Sequence, residues 1–468
     1  PDDGRQAMIY DLALENGTVC NGEELFPANV YIRDEVIELI TGRKMKFQAR
    51  QSLDCSGLYL LPGFIDPHIH FDLFLGKYTS RDDFDSGSAL ALSGGVTTVI
   101  DFLDPVRTLE ELKEAVQRRM RSSRTSRVDY AFHVTLAGNP EFTPRAIADA
   151  AINLGMPSIK VFTTYSGSGR RTDDGTLLEL LALSRSKGLV VLAHAENDEI
   201  ILARERELRR DREPTHRDLP HLRPVITELS EVVKLIQLSK SVDGQLYVVH
   251  VSSGDTVEAV SLMNTEWQNN SVLETCPQYL MLNDEALDDE SGFLNTYCPP
   301  ARSERERRLL VRGLLEGNIG SIGTDHCPFT TQDKRESFSS IPFGTGSLGL
   351  SFPVLNTLFD GDLVKVASLL SINPARLLGL YPERGTIVPG RTADIAVVNR
   401  ERSYNYSRSP LTRSDHSLFE GMSLRGEVVA TVMRGRLAFH VNRVLLEAGS
   451  GRFIERKRVL WGDRSAAE

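Results

Sequence analysis

Apolar residues fall into two kinds of run along this chain, and the change between them divides it into three parts. Up to about residue 62 the runs are short and separated by turn residues. Met8 to Leu14, Asn29 to Arg33 and Val36 to Ile40 are examples, with Asn16-Gly17 and Asn21-Gly22 marking turns. Such runs between Asn-Gly pairs predict short strands. From about 63 to 384 the runs become fully apolar and alternate with helix-like stretches. Thr97 to Phe102, Tyr130 to Val134, Ser158 to Phe162, Val190 to His194, Leu246 to His250 and Ser271 to Thr275 are of this kind. With Phe64-Ile65-Asp66 and Gly320 to Asp325 they number eight. Helical stretches are expected at 108–121, 144–154, 176–187, 228–240, 254–264 and 303–316. Eight buried strands alternating with helices predict a (β/α)8 barrel, which needs roughly 250 residues. Strand patterns return in Gly390 to Val398 and Val428 to Arg436. Pairing these late strands with the early ones buries both. The α/β fold expected is therefore a TIM barrel over 63–384 and a small β-sandwich from 1–62 and 385–440. A charged C-terminal arm or tail over 441–468 completes it.

Composition narrows the class. With 54 basic and 64 acidic residues the net charge is −10, which argues against a nucleic-acid partner. No apolar run approaches the roughly 20 residues needed to span a bilayer, so no membrane partner is expected. The opening residues Pro1 to Arg5 do not read as a signal peptide. Cys20, Cys55, Cys276, Cys298 and Cys327 are scattered without CxxC spacing, as reduced thiols of a cytoplasmic protein would be.

The candidate chemistry sits at the ends of the predicted barrel strands, where catalytic groups of such barrels lie. His68 and His70, two residues apart after the first strand, face the same side. Two convergent imidazoles suit zinc or a similar divalent ion. Lys160, His194, His250 and Asp325 lie in or end four further runs. Any one of these histidines taken alone reads more often as a hydrogen-bonded core or loop residue. Lys160 lies inside Ser-Ile-Lys-Val-Phe, and a buried ammonium is costly. Desolvation leaves a neutral amine able to take up carbon dioxide as a carbamate that bridges two cations. The alternative is a buried Lys–Glu ion pair and a mononuclear site. His133 is mid-strand and reads as structural, and His326 as a support for the site. His216 and His221 fall in an Arg- and Pro-rich stretch, 204–224, read as a solvated connection. His416 and His440 lie in the accessory region, and Cys327 reads as a small buried thiol.

The motifs then converge. Gly63-Phe-Ile-Asp-Pro-His-Ile-His-Phe71, Asp82-Asp-Phe-Asp-Ser-Gly-Ser88 and Gly94-Gly-Val-Thr-Thr-Val-Ile-Asp-Phe102 resemble the cyclic amidohydrolases: dihydropyrimidinases, hydantoinases and allantoinases. Lys160 to Tyr165, His194 to Asn197, His250 to Ser253, Glu274 to Leu280 and Gly323 to Phe329 do so too. The resemblance covers nearly the whole chain. It implies a binuclear zinc-type centre with a carboxylated Lys160 bridging the metals. His68 and His70 would hold the more buried metal, and His194 and His250 the second. Asp325 would be ligand and general base, and Tyr165 an oxyanion donor. The implied reaction is attack by a metal-bridging hydroxide on a cyclic ureide, a 5-substituted hydantoin or dihydropyrimidine, giving an N-carbamoyl amino acid. Allantoinase is the alternative, and a non-catalytic scaffold of the collapsin response mediator type a lesser one. A homo-oligomer, tetramer or dimer, is also implied.

The family pattern is broken in places. Cys298 stands where a serine is usual in a main-chain ring-binding loop, and Ile341-Pro342-Phe343-Gly344 has Phe343 where the family has asparagine. Phe71-Asp72 after the histidine pair counts against dihydroorotate. Phe71, Leu73, Phe74, Leu75 and Phe162 are expected around the mouth, favouring an apolar substituent. Gly167 to Arg171 reads as a mobile loop beside Tyr165.

Overall fold

The structure, a computed structural model, describes residues 9–263 and 270–461. Met8 of the first expected strand, residue 264 and residues 462–468 of the expected tail lie outside them.

Eight parallel strands form the barrel in sequence order: Phe64–Ile69, Val96–Phe102, Asp129–Thr135, Ser158–Phe162, Val190–His194, Leu246–Val248, Ser271–Thr275 and Ser321–Ile322. Helices Leu109–Ser122, Pro144–Asn153, Asp174–Lys187, Val225–Ser241, Gly254–Met263 and Glu304–Leu315 carry the chain between strands. Local chemistry sets their starts. Before Leu109–Ser122, the Thr108 hydroxyl accepts from Glu111 N at 3.1 Å and the Glu111 carboxylate accepts from Thr108 N at 3.2 Å. This reciprocal cap satisfies two otherwise orphaned donors.

Alternation within a strand decides what reaches the barrel interior. Ile159 and Val161 enter the main apolar core, whereas Lys160 and Phe162 line the central cavity. The ring closes between its first and last strands. Asp325 N donates to His68 O at 2.8 Å, and His70 N to His326 O at 2.9 Å.

The late strands pair with the early ones. Ile395–Asn405 runs antiparallel to Tyr59–Pro62, which lies beside Tyr10–Cys20. Leu14, Val19, Val30, Ile32, Val397 and Val432 share a buried cluster there. Each such side chain contributes about 1.5–3 kcal/mol on burial.

Residues 452–459 strap the N-terminal ends of the barrel strands. Tyr130 N donates to Arg452 O at 2.9 Å, Arg456 N to Gly155 O at 2.8 Å and Val459 N to Gly188 O at 2.9 Å. The buried Arg456 guanidinium donates to Phe132 O at 2.7 Å. The stretch 204–224 is largely exposed, as expected of a solvated connection, but parts of it fold into short helical turns and its end turns inward, where Arg223 is only 7% exposed. Among the described residues no helix is long and apolar enough to cross a membrane.

Candidate active site

At the C-terminal end of the barrel strands lies a cavity of about 470 Å³, lined by His68, His70, Lys160, His194, His250 and Asp325. His68 and His70 share one strand end, and Asp325 reaches them across the closing seam. His68 Nε2 and His70 Nε2 are 3.3 Å apart. Asp325 Oδ1 lies 3.2 Å from the first and 3.1 Å from the second. The seam is fixed by Asp66, which accepts from Thr324 Oγ1 at 2.6 Å and from His68 N at 3.1 Å. Gly323 is required by close approach: a Cβ there would lie 2.7 Å from both the His68 Cβ and Glu274 Oε2.

Outer partners aim these rings. His68 Nδ1 bonds Glu274 at 2.8 Å, which leaves Nε2 for the cavity. Tyr247 donates to the same carboxylate at 2.8 Å. Burial pushes the His68 imidazolium down, but Asp325 and Glu274 outweigh it and hold the ring up at about 9. Burial dominates at His70, whose value falls to about 4. For Asp325, desolvation is overcome by His68 and His70, which keep it well below the usual carboxylate range.

The other half is assembled from three strands. His194 and His250 rings lie 4.5 Å apart in a T-shape. Glu196 occupies His194 Nε2 at 2.7 Å and is itself paired with Arg223. Desolvation would raise the Glu196 carboxyl, but Arg223 and His194 hold it at about 2. Burial lowers His250 well below its ordinary value. Lys160 is 3% exposed, and burial lowers its amine to about 8. Its Nζ lies 5.3 Å from the Phe102 ring centroid and 5.4 Å from that of Phe162. Among the described residues it forms no ion pair, so the buried Lys–Glu alternative is not what the structure contains.

Tyr165, His250 and Asp325 adopt positive φ, at 66°, 42° and 50°. Non-glycine residues rarely sit there, and such strain clusters at functional sites. Tyr165 lies over His194, ring centroids 5.1 Å apart, with the Arg223 guanidinium 5.0 Å from its own centroid. Burial raises its phenol well above the ordinary value, so it is a neutral donor.

The donor set suits a cation. Imidazole nitrogens and a carboxylate oxygen converge, and His68, His70 and Asp325 alone form a group that could hold a metal ion. Among the described residues, the buried nitrogens His70 Nδ1 and His250 Nδ1 have no hydrogen-bond partner.

Other expected residues divide. Phe162, Cys298, Phe343, Leu73 and Leu75 line the cavity. Phe74 does not: it sits on a turn closed by a Phe74–Thr79 bridge and is 60% exposed. Phe71 turns into the core against Phe84, 5.2 Å between centroids, rather than to the mouth. His133 is fully buried, bonding Ser158 Oγ and Pro67 O. His326 bonds Asp82 at 2.9 Å, outside the donor set.

Two residues escaped the sequence reading. The Phe102 ring packs 4.7 Å from His68 and 4.9 Å from His70, centroid to centroid. Its only sequence signal is an aromatic ending the second apolar run. Arg223 was masked by the charged stretch around it.

Fold and site together define a (β/α)8-barrel enzyme with a candidate metal centre at the C-terminal mouth. The chain belongs to the amidohydrolase family, whose profile matches residues 59–438. It is 29% identical over 462 residues to a D-hydantoinase of Geobacillus stearothermophilus, covering 95% of this chain and 96% of the relative. Among solved structures, D-hydantoinase from Bacillus sp. AR9 superposes with a TM-score of 0.90 at 29% identity, covering 96% of this chain and 99% of that one. Dihydropyrimidinase from Brevibacillus agri gives the same TM-score, identity and coverage.

Proposed function

We propose that this enzyme opens a cyclic ureide, a 5-substituted hydantoin or dihydropyrimidine, to an N-carbamoyl amino acid. The observation that carries the reading is the convergence of His68, His70 and Asp325 beside a buried, unpaired Lys160 and a neutral Tyr165. Relatives named hydantoinase and dihydropyrimidinase supply the substrate class.

His68 and His70 would hold one cation, and His194 and His250 a second. Lys160, as a neutral amine, would take up carbon dioxide, forming an N–C bond and losing one proton, and the resulting carbamate would be a ligand to both cations. Divalent cations, zinc by the imidazole-rich donor set, supply nucleophilic water at neutral pH and polarise the amide carbonyl when bound. Asp325 ligates, accepts the proton of the attacking water and returns it to the leaving ring nitrogen. The Tyr165 hydroxyl donates to the developing oxyanion, a contribution of about 3 kcal/mol. Main-chain groups around Cys298 and Phe343 position the ring, while Phe162 and Leu73 receive the substituent. Assembly as a homo-oligomer, tetramer or dimer, in a reducing cytoplasm belongs to the same reading, and light scattering checks the assembly.

The test is a panel of dihydrouracil, 5-substituted hydantoins of each hand, allantoin and dihydroorotate, with metal analysis alongside. Ring opening of hydantoins or dihydrouracil with about two metal equivalents is expected. Activity on allantoin alone would overturn the substrate class.

A further inference from the structure

The cavity wall is cationic although the chain is acidic overall: Lys77, Lys160 and Arg170 face a single carboxylate, Asp325. Two of these cations have an occupation. Lys77 Nζ is paired with Glu336 at 2.8 Å, and Lys160 belongs to the centre. Arg170 does not. Among the described residues its guanidinium meets no carboxylate and donates no hydrogen bond, whereas the adjacent Arg171 is paired with Glu199 at 2.9 Å.

Arg170 is also held in place. Its N donates to Tyr165 O at 3.1 Å, and its carbonyl accepts from Gly138 N at 3.0 Å. The guanidinium carbon lies 5.9 Å from the Phe162 ring centroid, and the Lys160 amine 5.4 Å from the same centroid. One aromatic ring therefore links the reactive floor to an uncommitted cation in the wall. A planar fork of donors in a partly dry wall is suited to a carboxylate, which it can bind through two hydrogen bonds.

We propose that Arg170 is a specificity-determining residue that receives a carboxylate at the end of the substrate's exocyclic substituent. The preferred substrate is then a cyclic ureide bearing a short acidic chain, with Phe162 against its methylenes. This deepens the hydantoinase reading and rests on it.

The experiment compares 5-(2-carboxyethyl)hydantoin with its neutral, nearly isosteric carboxamide, in the wild-type holoenzyme and in Arg170→Gln, Arg170→Lys and Arg170→Glu. Wild type is expected to prefer the acid about tenfold or more in kcat/KM, the ratio expected of one charge-assisted pair, with the gap in KM. Arg170→Gln closes the gap, Arg170→Lys retains part of it and Arg170→Glu reverses it. Equal turnover of acid and amide by wild type overturns the proposal while leaving the hydantoinase reading standing. So does an acid preference that survives Arg170→Gln, or a variant that lowers both substrates in the same ratio. Failure of wild type to open either ring overturns both. Thermal melts confirm that the variants fold, as expected of a partly buried loop residue whose side chain makes no hydrogen bond among the described residues.

Discussion

Lys160 on the cavity floor and Lys334 behind its wall are buried alike and furnished in opposite ways. Lys334 is fully buried, and its amine donates to Thr296 O at 2.7 Å and Thr296 Oγ1 at 3.1 Å. The same carbonyl accepts from Gly344 N at 3.0 Å, so Thr296 O joins the two loops that flank Cys298 and Phe343 while the amine caps it. Lys160 has aromatic faces and the distant field of Asp325 and Glu274, with no hydrogen bond among the described residues. Burial lowers both amines, to about 8 for Lys160 and about 7 for Lys334. A lowered value therefore does not single out the reactive lysine. Lack of a partner, together with access to a cavity, is what fits Lys160 and not Lys334 to the role proposed above.

The contrast breaks first on substitution. Lys160→Ala is expected to lower kcat/KM by on the order of 10³-fold or more and to reduce bound metal, read by elemental analysis. Lys334→Met should keep its metal. Equal metal loss in both variants would erase the distinction. Next, Tyr165→Phe removes one oxyanion donor and should lower kcat about 10²–10³-fold with little change in KM. A matching rise in KM instead would assign Tyr165 to ground-state binding. Arg223→Met leaves Glu196 buried without its guanidinium, and chemical denaturation should show a loss of about 3–5 kcal/mol.

Per pH unit, the smallest effect is the titration of Lys334. Folded Lys334 sheds its proton near pH 7, the unfolded lysine near 10.5. Between these values the unfolded chain holds the extra proton, so stability rises with pH across that window. The burial penalty is fully present below it. Wild type should gain up to about 1.4 kcal/mol per pH unit over Lys334→Met there, and parallel curves would contradict a buried, titrating amine.

How much of this could be read in the sequence depends on what each residue announces. The barrel strands are legible because apolar runs alternating with helix-like stretches repeat eight times, and five of those runs carry or are followed by a candidate chelating group. His68 and His70 are legible because strand periodicity puts them on one face. Arg223 is not, because a charged run reads as solvated until Glu196 from another loop arrives to neutralise it. Phe71 and Phe74 carry the same aromatic signal, yet one enters the core and the other faces solvent. That choice is set by backbone turns which composition does not encode. Arg170 reads as one residue of a mobile loop, and only the Phe162 ring shows where its guanidinium rests.

The strap over residues 452–459 has a consequence for how the protein is made. A ribosome releases all eight barrel strands before it releases these residues, so the nascent barrel emerges with its floor unsealed. Until Arg456 arrives, Phe132 O lacks its guanidinium partner, and Gly155 and Gly188 lack the donors that later cover them. The late sheet strands are equally delayed, leaving Tyr59–Pro62 with an open edge. The barrel therefore waits in an aggregation-prone state until residues 452–459 emerge, and chaperone dependence in cells is expected to track the integrity of this strap.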